Sequence, residues 1–279
     1  MVSFSDSVIE GAPQAGPQQT VQALRLGVVS YLNSEPLVYG LAGDARFRIE
    51  RDVPARVADR LHKGAIDLGL IPSIEFAGGD YRIVPGLGIG SHGAVRSVCL
   101  FHRRPLAELR RVALDTSSRT SVVLLKVLLK AHLHGREPEY VGMAPQLDAM
   151  LADADAALVI GDPALYAAAH GISCLDLGEE WRTQTGLPFV FAFWAGRPDV
   201  AGAAEVAALQ AAAAGGLRHL DQVAASYNTH QELNASYLRA NIAYTLGEEG
   251  KAGLREFYRR AHAAGLIARL PELRFYDDP

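Results

Sequence analysis

The 279-residue chain has little cysteine, no long hydrophobic run and no large excess of either charge. Its two cysteines, Cys99 and Cys174, stand in apolar, strand-like contexts, which is typical of free thiols in a cytoplasmic protein. No apolar run approaches the roughly 20 residues of a membrane span. The net charge of −4 gives no support for a nucleic-acid partner. We therefore expect a cytoplasmic protein with no nucleic-acid partner and no membrane partner.

Common metal and nucleophile motifs are also missing, since the chain contains no H-E-x-x-H, C-x-x-C or G-x-S-x-G. We therefore predict no metal site. Residues 88–93 match G-x-G-x-x-G, but a nucleotide-binding motif should open a helix. Here the strand-like segment 96–101 follows instead, so we predict a flexible glycine-rich loop beside a cleft.

The chain beyond residue 23 alternates short apolar segments with helical patterns, which indicates an α/β fold. The first 22 residues are rich in Ser, Gln, Gly and Pro, with no basic start and no apolar stretch. This composition predicts a disordered tail over 1–23 rather than a signal peptide. We predict one lobe from 24–102 plus 190–279, with a helical C-terminal part, and a second lobe from 103–189. Two crossing segments between the lobes would leave a cleft for a small ligand.

The predicted elements follow from apolar periodicity and from Gly, Pro and capping residues. Strands are predicted at 26–30, 46–50, 66–71, 81–84, 96–102, 111–114, 156–160 and 189–195. Helices are predicted at 55–63 and 120–134, and a helical pattern runs from 199 to about 266 with breaks at Gly215-Gly216 and near Thr229.

Small polar side chains follow the first predicted strand. Ser30, Tyr31 and Asn33 come directly after it, and Pro36 is placed to open the next element. Because ligands of open α/β sheets bind at the carboxyl ends of strands, these residues are candidates for a binding site. The Asn33 amide donates and accepts hydrogen bonds but does not ionise near neutral pH. It is therefore suited to orienting a ligand rather than to transferring protons.

A second polar cluster, residues 115–121, follows a strand and opens a helix. The first turn of a helix presents free N–H groups and the positive end of the helix dipole, so it attracts anions. We predict that a carboxylate binds here, although a capping cluster with surplus hydroxyls is the alternative. The candidate side chains are those of Thr116, Ser118, Arg119, Thr120 and Ser121.

Further candidates stand where other strands end or begin. Ser73 follows a buried strand, Ser91 lies in the glycine-rich segment, and Ser97 opens the strand that leaves the first lobe. Asp162 ends a strand of the second lobe, where it is either a helix cap or a partner for a substrate hydroxyl.

Four of these segments, in order along the chain, resemble motifs of the MqnA family of menaquinone-biosynthesis proteins, the chorismate dehydratases. They cover roughly Leu26 to Trp194, and the helical tail is less diagnostic. Ser30–Leu37 is similar to S-Y-L-N-x-x-P-L, Ser117–Val122 to S-x-S-R-T-S-V, Ile160–Leu165 to I-G-D-x-A-L, and Trp181 with Thr185–Ala192 to W-x-x-x-T-G-L-P-F-V-F-A.

The resemblance implies a two-lobed fold like that of type 2 periplasmic binding proteins, with the ligand cleft between the lobes. It implies a carbon–oxygen lyase that eliminates water from chorismate to give 3-[(1-carboxyvinyl)oxy]benzoate, the first step of the futalosine route, without metal or organic cofactor. Asn33 stands at the position of the family's essential asparagine, and Ser97 matches its site serine. Ala94 departs from the pattern, because relatives often carry proline there.

Our mechanistic hypothesis assigns no protein base. Loss of the C3 proton and the C4 hydroxyl makes the ring aromatic, so the protein mainly has to hold a reactive conformer. Asn33 and Ser97 would bind and polarise groups at the reacting carbons, and the enolpyruvyl carboxylate of the substrate would take the proton.

Two alternatives stay open at this point. The sister enzyme 1,4-dihydroxy-6-naphthoate synthase shares the fold and relies on a histidine base, for which His92 is the candidate. A non-catalytic carboxylate-binding protein of the same fold is the other alternative. The sequence also leaves the oligomeric state open, a homodimer included.

Overall fold

A computed structural model describes residues 23–168 and 171–278, in two β-sheets with helices packed around them. The predicted tail, except for residue 23, lies outside the described residues. The first sheet contains β1 (Leu24–Val29), β2 (Phe47–Asp52), β3 (Leu68–Pro72), β4 (Arg82–Ile83), β5 (Gly86–Ser91), β11 (Phe189–Gly196) and β12 (Ala243–Leu246). The second contains β6 (Val98–His102), β7 (Arg111–Asp115), β8 (Glu139–Met143), β9 (Ala156–Ile160) and β10 (Ser173–Asp176).

The α-helices are α1 (Pro54–His62), α2 (Thr120–Leu129), α3 (Leu147–Asp153), α4 (Gly161–Leu165), α5 (Leu177–Thr185), α6 (Ala203–Arg218), α7 (Leu220–Tyr227), α8 (Gln231–Ala240) and α9 (Glu248–Ala263). Short 3₁₀ helices follow β1 and β3, at Leu32–Val38 and Ser73–Gly78. No helix among the described residues is long and apolar enough to cross a membrane.

Both sheets combine parallel and antiparallel pairs. In the first sheet the order is β12-β5-β11-β3-β1-β2, with β1 parallel to β2 and β3, and β11 antiparallel to β3 and β5. In the second the order is β10-β6-β9-β7-β8, with β7 parallel to β8 and β9. A ligand site is therefore expected at the carboxyl ends of the parallel strands. These strands are β1 and β3 in the first sheet and β7 and β9 in the second.

The chain crosses between the sheets twice, before β6 and before β11. The first crossing is held by the carboxylate of Asp176, which accepts the backbone N–H groups of Val95 at 3.0 Å and Arg96 at 2.6 Å. The second is fixed by the indole N–H of Trp181, which donates to the carbonyl of Pro188 at 3.2 Å. Two such crossings join the two sheets, as the predicted two-lobed arrangement requires. The lobe boundaries themselves stay a prediction.

An aromatic cluster supports the crossing region. The Trp181 ring in α5 lies edge-on to Phe189 of β11 and to Phe257 of α9, with centroids 5.2 and 6.2 Å apart. All three side chains are fully buried, and such pairs stabilise beyond their burial. The last helix of the tail, α9, thus packs against β11 of the first sheet and against α5.

β6, which ends at the predicted lobe boundary of residue 102, pairs with β9 and β10 in the second sheet. Other expectations from the sequence are corrected. The predicted glycine-rich loop is instead mostly strand β5, paired on both sides. Gly90 fits there because a Cβ would lie 2.6 Å from the carbonyl oxygen of Phe189. Since glycines have no side chains, they conceal the alternation that normally marks a strand.

The tail also differs from its predicted breaks. Gly215-Gly216 do not interrupt α6, because Gly216 lies against the 3₁₀ helix after β1, where a Cβ would come within 2.0 Å of the Pro36 carbonyl oxygen. The break near Thr229 is present between α7 and α8, and β12 interrupts the tail between α8 and α9. The helix predicted at 120–134 ends at Leu129.

Candidate functional site

One cavity lies between the two sheets at the carboxyl ends of the parallel strands. It encloses about 540 Å³ of empty space, a value that includes the open space at its mouth. Its walls come from both sheets and from the segments that follow their strands. The lining residues are Val29, Tyr31, Asn33, Pro54, Pro72, Ile89, Val95, Ser97, Val98, Ser118, Arg119, Thr120, Ser121, Ile160, Gly161, Phe191 and Ala192.

Asn33 and Ser97 meet at this cavity through a third side chain, Tyr237 of α8. The Asn33 amide nitrogen donates to the Tyr237 hydroxyl at 3.1 Å, and that hydroxyl donates to Ser97 Oγ at 2.7 Å. Tyr237 and Ser97 are each 1% exposed, and burial raises the pKa of the Tyr237 phenol well above its usual range. The phenol is therefore protonated at physiological pH and acts as a donor.

Tyr31 forms another part of the wall, and residues of the second sheet's side hold its hydroxyl. Its hydroxyl lies 3.2 Å from Ser117 Oγ, which donates to Asp115 at 2.6 Å. The Asp115 carboxylate also accepts the N–H of Ile160, so it ties the ends of β7 and β9 together. Burial raises the pKa of Tyr31 to about 12 and also raises the pKa of the Asp115 carboxyl. Tyr31 is therefore a neutral hydroxyl at neutral pH.

The start of α2 faces the cavity with its first turn. Ser118, Thr120 and Ser121 line the cavity and are buried, and none of the side chains that the structure describes caps the helix. The first N–H groups of an α-helix have no partner within the helix, so this turn offers donors to a ligand. Thr120 is partly committed, because its Oγ1 accepts the N–H of Ile74 at 3.1 Å.

Arg119 is the cationic residue of the cavity wall, but its guanidinium is already paired. It donates to Asp59 of α1 at 2.5 Å and to Glu75 at 3.0 Å. Glu75 in turn contacts His62 Nε2 at 2.6 Å. The guanidinium thus links the start of α2 to α1 and to the 3₁₀ helix that follows β3. A ligand carboxylate would compete with these two acids for it.

Five predicted site residues lie outside the lining. Ser30 and Thr116 are exposed at other surfaces, and Ser91 is buried with no hydrogen-bond partner among the described residues. Ser73 Oγ donates to the Val190 carbonyl at 2.8 Å. Asp162 accepts the N–H of Leu32 at 3.1 Å and the hydroxyl of Tyr227. Of the predicted residues, the structure brings these together at the cavity: Tyr31, Asn33, Ser97, Ser118, Arg119, Thr120 and Ser121.

Sequence reasoning missed Tyr237, and it included Asp115 and Ser117 in the cluster 115–121 without assigning them the role of supporting Tyr31. Tyr237 lies 204 residues from Asn33 along the chain, on a helix without a recognisable motif, so no local signal marks it. None of the cavity-lining residues within 23–168 and 171–278 is a histidine, and His92 borders other surface depressions instead. Among the described residues, no group of three or more His, Cys, Asp or Glu side chains is arranged to hold a metal ion.

Comparison with known proteins shows one matching family and similar relatives. Residues 24–263 match the menaquinone biosynthesis family. A chorismate dehydratase of Thermus thermophilus is 36% identical over 265 residues, covering 86% of this chain and 95% of the relative. A chorismate dehydratase of Campylobacter jejuni is 30% identical over 162 residues, 58% of each chain.

Solved structures with similar folds include both a structural-genomics protein and transport components. Protein AF1704 from Archaeoglobus fulgidus superposes with a TM-score of 0.75 at 20% identity, covering 89% of this chain and all of that one. The periplasmic aliphatic sulphonate binding protein SsuA from Escherichia coli superposes with a TM-score of 0.64 at 18% identity, covering 89% and 94%. At these identities the likeness concerns the fold alone.

Proposed function

The chain belongs to the menaquinone biosynthesis family, and from that premise we propose that it removes water from chorismate to give 3-[(1-carboxyvinyl)oxy]benzoate. The proposed activity is that of a hydro-lyase. The observation that carries it is a single cavity where the Asn33–Tyr237–Ser97 chain and the uncapped start of α2 both open onto the same space.

The chemistry of the substrate matches these groups. Chorismate carries two carboxylates, a ring hydroxyl and an enol ether, so it needs anion contacts and neutral hydrogen bonds. The N–H groups of the first turn of α2 and the hydroxyls of Ser118 and Ser121 suit one carboxylate. Asn33 and Ser97 suit the polar groups at the reacting carbons.

The elimination balances without a protein base. The C3 proton passes to the enolpyruvyl carboxylate, the C3–H electron pair forms the new ring double bond, and the C4–O bond breaks. The carboxyl group then passes this proton to the leaving hydroxyl, which departs as water, and the carboxylate is restored. Tyr31, Asn33 and Ser97 are all neutral side chains, so their role is to bind, orient and polarise rather than to accept the C3 proton.

The histidine-dependent alternative has less support, because no lining residue in the described part of the chain is a histidine. The non-catalytic alternative rests on the likeness to transport proteins, which concerns the fold alone. The cytoplasmic location and the homodimer stay predictions.

Incubation of the purified protein with chorismate tests the proposal. Product identity by liquid chromatography and mass spectrometry should show 3-[(1-carboxyvinyl)oxy]benzoate, formed at a rate proportional to protein concentration. Chorismate recovered unchanged, or converted to a rearranged isomer without loss of water, would contradict it. Buffer alone and heat-unfolded protein serve as controls, because chorismate also reacts slowly by itself.

A further inference from the structure

Tyr237 fixes the direction of every hydrogen bond in the chain it shares with Asn33 and Ser97. Its phenol has one proton, which it donates to Ser97 Oγ at 2.7 Å, and its oxygen accepts from the Asn33 amide nitrogen at 3.1 Å. A serine hydroxyl that accepts one such bond keeps its own proton free to donate elsewhere. Since Ser97 lines the cavity, that proton is available to a ligand in the cavity.

The same contact selects the orientation of the Asn33 amide. With the nitrogen turned to Tyr237, the carbonyl oxygen lies on the other side of the group, where Ser34 Oγ is 3.4 Å away. An amide without this anchor could rotate and exchange its donor and acceptor faces. Tyr237 itself is not among the lining residues, so it would act on a ligand only through its two partners.

The surroundings of α8 keep the phenol in place. Asn234, one turn earlier on the helix, is fully buried and donates to the Ala224 carbonyl at 3.2 Å and to Asn228 at 2.9 Å. It also accepts the hydroxyl of Tyr166 at 2.7 Å, beyond the end of α4. The helix that carries Tyr237 is therefore tied both to α7 and to the second sheet's side of the cavity.

We propose that Tyr237 is a positioning residue of the cavity, which holds Ser97 as a hydrogen-bond donor and Asn33 in a single amide orientation toward the ligand. The inference rests on the proposed dehydration for its kinetic consequence, but its structural consequence is independent of the substrate. The aromatic ring supplies packing, and the hydroxyl alone supplies the orientation.

Tyr237→Phe removes the hydroxyl and retains the ring. We expect kcat for chorismate to fall about 10- to 100-fold, because two partners lose their fixed orientation, while KM changes by less than about threefold. Tyr258→Phe is the matched control, since Tyr258 is also 1% exposed and its hydroxyl donates to a backbone carbonyl, that of Ser73. It should lose comparable stability with kcat unchanged.

A double-mutant cycle with Ser97→Ala separates positioning from general destabilisation. If Tyr237 acts through Ser97, Tyr237→Phe should lower kcat much less in the Ser97→Ala background than in the wild type. Equal losses in both backgrounds, or a kcat within twofold of wild type for Tyr237→Phe alone, would overturn the proposal.

A crystal structure of Tyr237→Phe distinguishes this inference from the proposed function. The positioning role predicts that Ser97 or Asn33 adopts a new side-chain conformation. If the wild type fails to convert chorismate but these side chains move, the proposed function is wrong and the positioning role stands. If both side chains keep their conformations, the positioning role is wrong whatever the activity.

Discussion

Asn33→Asp is the substitution that most directly probes a neutral, orienting amide. Asp has nearly the same shape, but it replaces the nitrogen that donates to Tyr237 at 3.1 Å with an oxygen that only accepts. The phenol can bond to the new carboxylate only by giving up its 2.7 Å bond to Ser97. The change therefore alters both the charge of the cavity and the hydrogen-bond chain behind it.

The expected magnitude combines two terms. Loss of the orienting hydrogen bonds costs about 1–3 kcal/mol. A negative charge about 5 Å from a substrate carboxylate, at an effective dielectric constant of about 20, adds roughly 3 kcal/mol of repulsion. Together they predict a decrease of about 10³- to 10⁴-fold in kcat/KM for chorismate, at about tenfold for each 1.4 kcal/mol.

Steady-state kinetics with chorismate provides the assay, with thermal unfolding measured in parallel. Asn241→Asp is the control, because the Asn241 amide also donates a hydrogen bond, to the backbone carbonyl of Ala94 at 2.8 Å, but does not line the cavity. It should leave kcat/KM near the wild-type value. Near-normal turnover by Asn33→Asp would refute the orienting role, and an equal loss in both variants would show that the effect is not specific to the cavity.

Two further predictions concern stability. Gly161→Ala should destabilise by about 2–4 kcal/mol in chemical denaturation, because its φ of +63° is left-handed and a Cβ would lie 2.5 Å from the Tyr31 ring. Gly40→Ala, at φ +78° with nothing within 4 Å, should cost only the backbone strain, and equal costs would contradict the contact with Tyr31. Asp67→Asn should cost about 1–2 kcal/mol at pH 7, because hydrogen bonds from Arg25 hold the pKa of Asp67 below its usual range. A lowered carboxyl pKa stabilises the folded protein above the unfolded pKa of about 3.9, and this stabilisation is lost as the pH falls through the folded pKa. The urea midpoints of the wild type and Asp67→Asn should therefore converge below about pH 4. A difference that stays constant with pH would refute this.

The local order of the chain could be predicted well where apolar periodicity was strong. The strand predicted at 156–160 is β9 with the same bounds, and the strands that lead to Asn33 and to residues 118–121 are present. Two segments that contain glycine were predicted wrongly, for different reasons. β5 was missed because its glycines have no side chains to alternate, and α6 continued through Gly215-Gly216 because close packing on the Pro36 segment favours glycine there.

The candidate site could be predicted only in part, since sequence shows which side chains follow a strand but not where each points. Ser30 ends outside the cavity, whereas Asn33 is returned to it by the 3₁₀ turn at Leu32–Val38. Ser73 looked equivalent by position, yet its hydroxyl satisfies a neighbouring carbonyl. The position of Tyr237 depends on how the helical tail packs against the cavity. Its separation from Asn33 by 204 residues along the chain leaves no local sequence pattern that would indicate it.

The central claim is that Asn33, Ser97 and the start of α2 together hold the substrate. A crystal structure with 3-[(1-carboxyvinyl)oxy]benzoate bound tests this most directly. We expect the ligand in the cavity between the sheets, one carboxylate within hydrogen-bond distance of Ser118 or Ser121, and Asn33 and Ser97 in contact with its ring substituents. Ligand bound elsewhere, or in the cavity but out of reach of both Asn33 and Ser97, would contradict it.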